Sequence, residues 1–312
     1  MSASASRRAL SFVPLVLALS APMVSGTASA ADLSRLVRMK VSAGDLLSGE
    51  AAVEEYRKTK GVDADYLDAV GWLARGAVLL DRKERADTYV AELRREIREE
   101  TDELIVPLGA AIEVDGKLRL AREGRGAAVR FLEAELARAK DVSLRSRISK
   151  NINLLTLEGQ PAPVLAAGDR VGPETPRLSD LRGKVVLLFL WAHGCGDCKA
   201  QGPIVARVYQ KHRADGLVLL APTRYYGQDA EWKKAAPPPE EKAAIEKDWT
   251  TFTGLDGVPI PIDTPTMVRY GASATPTLVL IDKKGIVRLY TPTRMSESDL
   301  LRRVEEALAE QG

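Results

Sequence analysis

Cysteine is scarce in this chain: of 312 residues only Cys195 and Cys198 carry a thiol. That scarcity excludes the disulfide-dense secreted scaffolds, in which several bridges replace a small core. The pair cannot act as one structural staple either, because a bridge between residues three apart constrains almost nothing in the unfolded chain. An excess of either charge is missing too. Lys and Arg number 45 against 43 Asp and Glu, and without Arg7 and Arg8 the two signs balance, so nothing favours nucleic acid as a partner. Beyond residue 30 no apolar run approaches the roughly 20 residues that a membrane span needs. The first half also lacks a glycine-rich loop or a titratable cluster that would suggest chemistry of its own.

What is present begins with an address. Arg7-Arg8, an apolar run over 10–24, and Ala28-Ser29-Ala30 ahead of Ala31 follow the three-part order of a secretory signal peptide cut after Ala30. An exported protein, periplasmic or otherwise extracytoplasmic, is expected. An uncleaved N-terminal membrane anchor is the lesser alternative, since the run is short and holds Pro14 and Pro22. The remaining length, with 45% hydrophobic and 28% charged residues, suits two soluble domains.

Residues 31–160 read as an all-α domain. Tyr66, Val70, Leu73, Ala77 and Leu80 recur at helical spacing, as do Ala86, Val90, Leu93 and Ile97, then Leu132 and Leu136, then Leu144, Ile148 and Leu155. Breaks are expected near Gly61-Val62-Asp63, Asp81-Arg82-Lys83, Pro107-Leu108-Gly109 and Asp115-Gly116-Lys117. Trp72 is expected in the core, and the mixed-charge run from Arg94 to Glu100 on a solvated helix face. This half is expected to be a scaffold or to bind an unknown protein partner. Pro161-Ala162-Pro163 cannot continue a helix and marks a linker into a second domain, 161–312.

The stretch KVVLLFLWAHGCGDCKAQGP, 184–203, carries the chemistry. Residues 184–190 read as a strand buried on both faces, His193-Gly194 breaks the run, and the cysteines open a helix. A thiolate gains at a helix start from unpaired N–H groups. At most about 2 kcal/mol is available there, enough to lower a thiol pKa by roughly 1.5 units. Three-residue spacing lets the pair close a disulfide and reopen it with little backbone motion. Further on, 216–221 reads as another buried strand, 240–251 as a helix, and 258–263, with Pro259 and Pro261, as an edge or irregular strand. An antiparallel pair around Asp282-Lys283-Lys284-Gly285 and a last helix capped by Ser296 close the chain.

Trp191-Ala192-x-x-Cys195-x-x-Cys198-Lys199 with Pro203, followed by Ala274-Thr275-Pro276-Thr277, resembles the thioredoxin superfamily, and within it the TlpA and ResA type of secreted thiol-disulfide oxidoreductase. Leu178-Ser179-Asp180-Leu181-x-Gly183-Lys184 adds to the likeness. The resemblance implies an α/β domain with a central mixed sheet flanked by helices, preceded here by the all-α domain. It implies Cys195 and Cys198 as the redox pair, a cis-proline at Pro276, and a substrate groove around Trp191, His193, Gly194, Thr275 and Pro276. It further implies protein disulfide or dithiol substrates, a membrane thiol electron donor and no cofactor.

Three departures stand out. Gly194 occupies the position where the family commonly has Trp, Gly196-Asp197 lies between the cysteines, and Gln201 stands where many reductases of this type have Glu. Asp197 is expected to modulate the Cys195 pKa, opposing the thiolate by about 1 to 2 kcal/mol across some 7 Å. Two other readings use the same residues. A copper or zinc carrier would use both cysteines with His193 and Asp197, yet copper carriers of this fold usually place three residues between the cysteines and add a distant His, where this chain offers His212. A thiol peroxidase would need Thr-x-x-Cys before Cys195, which is absent.

Overall fold

A computed structural model describes residues 30–166 and 168–310; the expected signal peptide over 1–30 therefore lies, but for Ala30, outside the described residues. The first half is helical: α1 (Ala30–Ser42), α2 (Leu46–Lys60), α3 (Ala64–Leu79), α4 (Lys83–Glu96), α5 (Ile105–Glu123), α6 (Arg125–Arg138) and α7 (Val142–Thr156). Aspartates start three of them. Asp45, Asp63 and Asp141 accept from the backbone N–H of Ser48, Tyr66 and Leu144, satisfying donors that a helix start leaves free. The apolar stripe of α3, with Ala69, Val70, Leu73, Ala74 and Ala77 buried, packs against α1, α4 and α5.

Two expected breaks are absent. Pro107 sits in the first turn of α5, where its missing N–H has no helical acceptor, and Gly116 continues the helix beneath Leu132 of α6. The real break is Gly124, at φ 86°. Trp72 is half-buried rather than central, with the guanidinium carbons of Arg38 and Arg75 at 5.0 and 5.1 Å from its ring centroid. The charge run leaves α4 at Glu96. Beyond it, the Glu100 carboxylate accepts from the N–H groups of Lys140 and Asp141 ahead of α7.

The second half holds β1 (Asp169–Val171), β2 (Val185–Leu190), α8 (Gly196–His212), β3 (Leu217–Leu220), α9 (Pro238–Thr253), β4 (Ile260–Ile262), α10 (Thr264–Arg269), β5 (Thr277–Ile281), β6 (Val287–Thr291) and α11 (Glu297–Ala309). Its sheet has the order β3-β2-β5-β6, with β2 parallel to β3 and antiparallel to β5. Strand β4, carrying Pro261, pairs outside this sheet with β1. Every residue of β2 is buried, because side chains alternate between two covered faces. Val185, Leu187 and Phe189 meet α8, α9 and α11, whereas Val186, Leu188 and Leu190 meet Met267, Tyr270 and Leu157. Each such side chain contributes on the order of 1.5 to 3 kcal/mol.

The expected linker is not a free tether. Gly159 N–H donates to Val287 O, Val287 N–H to Gln160 O and Ala162 N–H to Gly285 O, so the segment runs along the outer edge of β6. Helix α7 leans on the same half: Asn153 Nδ2 donates to Arg269 O at 3.0 Å. Gly271, at φ +64°, comes so close that a Cβ there would lie 2.3 Å from Lys150 N.

Candidate active site

Strand β2 delivers the chain to the sheet end, where Trp191, Ala192 and His193 are still buried and Gly194 takes φ +73°. Cys195 is the N-cap of α8, its Sγ accepting from Cys198 N–H at 3.1 Å. The two cysteines form a disulfide with Cα atoms 5.2 Å apart. Their exposure differs: Cys198 is wholly buried, whereas Cys195 is only partly so. From β5's entry, Thr275 Oγ1 donates to Cys195 Sγ at 3.4 Å, and the Thr275–Pro276 peptide is cis. The Cys195 sulfur thus meets two donors, the Cys198 N–H and the Thr275 hydroxyl, and one carbonyl oxygen, that of Thr275, at 3.4 Å. Helix α8 runs on past Pro203 to His212.

Two residues expected in the groove lie beneath it. Trp191 is a core side chain, its Nε1 donating to Ala221 O at 3.1 Å and its ring packed on Trp249 and Phe252. His193 is buried in a chain of hydrogen bonds. Trp232 Nε1 donates to His193 Nδ1 at 2.7 Å, which leaves the ring proton on Nε2, 3.0 Å from Glu241 Oε1. Burial pushes the His193 pKa down, against the opposing pull of Glu241 and Asp248. With both nitrogens engaged, His193 has no lone pair to offer a metal, and among the described residues no cluster of three His, Cys, Asp or Glu could hold one.

Gly194, Cys195 and Thr275 do share a cavity, of about 250 Å³. Its other walls were not legible in the sequence. Arg224, Tyr226 and Trp232 come from the long segment between β3 and α9, and Ser143 and Ser146 from the start of α7. A Cβ on Gly194 would lie 2.3 Å from the Trp232 indole, so the glycine makes room for a tryptophan supplied from elsewhere in the chain. Pro276 is buried behind Thr275.

Asp197 also departs from expectation. Its carboxylate lies 3.2 Å from Arg294 Nη1, and both side chains are more than half exposed. An exposed pair of this kind is screened by water. Gln201 is buried, its Oε1 accepting from Met295 N–H at 2.9 Å, a structural bond that ties α8 to the start of α11.

Residues 158–290 match the AhpC/TSA family. The thiol-disulfide oxidoreductase ResA of Geobacillus kaustophilus is 33% identical over 149 residues, spanning 47% of this chain and 76% of that protein. ResA of Bacillus subtilis is 31% identical over 144 residues, 45% and 70% of the respective chains. Among solved structures, a thiol:disulfide interchange protein of the thioredoxin family from Chlorobium tepidum is 20% identical, covering 49% of this chain and 98% of its own, with a TM-score of 0.38. With its mixed sheet, its Cys-x-x-Cys pair at a helix start and its likeness to ResA over three quarters of that protein, the chain belongs to the thioredoxin-like thiol-disulfide oxidoreductases.

Proposed function

We propose that Cys195 is the attacking sulfur and Cys198 the resolving one in the reduction of disulfides of exported proteins. The unequal exposure of the two residues carries this assignment: Cys195 is partly exposed and lines the cavity, whereas Cys198 is fully buried and does not line it. The Cys195 thiolate attacks one substrate sulfur, the substrate S–S bond breaks and a thiolate leaves. Cys198 then attacks Cys195 Sγ, the mixed disulfide breaks and the second substrate thiolate departs. Two electrons pass to the substrate, two protons follow, and the protein is left as the Cys195–Cys198 disulfide. A membrane thiol donor would return it to the dithiol. Thr275 lines the approach with Pro276 buried behind it, and the leader-like residues 1–30 support an extracytoplasmic location. Among the described residues no helix is long and apolar enough to cross a membrane. In this reading residues 31–160 are a helical domain that serves as a scaffold or as a surface for a protein partner, and 161–312 the redox domain.

Replacing the resolving sulfur tests the assignment. Cys198→Ser is expected to accumulate mixed disulfides with partner proteins, released by dithiothreitol, and Cys195→Ser to accumulate none. Equal trapping by both variants would reverse or remove the division of labour.

A further inference from the structure

The cavity over Cys195 has a wall that the redox chemistry does not require. Arg224 is its one charged lining residue, with the guanidinium carbon 4.5 Å from the Tyr226 ring centroid. The neighbouring carboxylates are engaged elsewhere. Glu241 accepts from His193 and from the backbone N–H groups of Tyr226 and Gly227, Asp248 from Gly194 N–H, and Asp169 pairs with Lys242. Among the described residues no carboxylate pairs with Arg224, and the side chain nearest to its guanidinium is the phenol of Tyr226. A guanidinium that lines the cavity with no carboxylate on it is complementary to an anion, since it binds a carboxylate through two parallel N–H bonds. Ser143 and Ser146 of α7 also line the cavity, the Ser146 hydroxyl donating to Val142 O. The volume, about 250 Å³, falls below that of pockets for drug-sized molecules and suits a single side chain or a small thiol.

We infer that this cavity selects substrates that carry a carboxylate a few atoms from the reacting sulfur, with Arg224 as the recognising cation. The inference rests on the oxidoreductase reading and narrows its substrate class. Such a carboxylate occurs in small acidic thiols and in polypeptides with an acidic residue beside the cysteine. In either case the anion docks against Arg224 while Cys195 attacks the sulfur, and the electron balance is that of the exchange described above.

The test uses the full reduced protein and three symmetric disulfides of similar size: 3,3′-dithiodipropionate, 2-hydroxyethyl disulfide and cystamine. Each rate is divided by that of the neutral disulfide, and variants are compared with wild type so that differences in leaving-group chemistry cancel. Arg224→Gln is expected to lower the relative rate on dithiodipropionate about tenfold and to raise that on cystamine, while Arg224→Lys keeps most of the anion preference. Equal loss of absolute rate on all three, with the ratios unchanged, would mean that Arg224 only holds its loop, and unchanged absolute rates would mean that it does not meet substrate; either overturns the inference. A wild type that reduces none of them would remove the oxidoreductase reading itself. Disulfide-linked Asp-Cys and Lys-Cys dipeptides separate the two sources. Preference for the Asp peptide extends the pocket to polypeptides, and its absence beside an intact small-molecule preference confines it to small acidic thiols.

Discussion

His193 illustrates how far one side chain can lie from the role its position suggests. Two residues before Cys195, it is an interior base whose imidazole joins Trp232 to Glu241. Its pKa in the folded protein lies below the ordinary 6.5 because burial disfavours the cation. Between those two values the unfolded chain binds the extra proton and the folded one does not. The stability that His193 contributes is therefore complete above about 6.5 and lost as pH falls through the folded value. Protonation would also abolish the Nδ1 lone pair that accepts from Trp232. Unfolding free energy measured in denaturant from pH 7.5 to 5 is expected to fall more steeply for wild type than for His193→Gln. Parallel slopes would show that the ring takes up its proton alike in the folded and the unfolded chain. None of this is readable from sequence: Glu241 is 48 residues away and Trp232 39 residues away, and no spacing rule links them to the cysteine motif. The motif itself is readable, because strand period, glycine break and helix period are local.

At the scale of elements, legibility followed the same division. Helices α3 and α4 and the strand–loop–helix around Cys195 show their periods plainly. In α5, Pro107 and Gly116 mimic breaks, because a proline in a first turn and a glycine under a neighbouring helix look in sequence like loop residues. That helix is also where three elements are held by charge. Burial pushes the Glu113 pKa up, but Lys150 of α7, Lys117 and Arg75 of α3 outweigh it and hold the carboxyl at about 2. Contacts of 2.7 Å to Lys117, 3.4 Å to Arg75 and 3.6 Å to Lys150 leave two largely buried cations dependent on one anion. Glu113→Gln should cost roughly 2 to 4 kcal/mol at neutral pH. Because a depressed carboxyl contributes above its unfolded pKa and loses that contribution on acidification, the gap from wild type should close towards pH 2. A gap that persists there would assign the effect to packing rather than charge.

For the whole molecule, the expected division at Pro161 meets a chain that is sewn across it. Leu157 belongs to the core beneath β2, the Glu158 carboxylate accepts from Tyr290 N–H, and Gly159 to Ala162 follow β6. The sequence marks the prolines but not this pairing, since a backbone partner leaves no pattern in side chains. The consequence concerns solubility. In the intact protein the outermost strand is shielded by the residues just ahead of the redox half, so a fragment beginning at 161 would bare much of a row of unpaired amides and carbonyls, a template for strand-to-strand association. A fragment beginning at 157 would keep its own selvedge. Light scattering of the two at equal concentration should show the shorter one growing into multimers and the longer one remaining monomeric; equal behaviour would mean that β6 needs no cover.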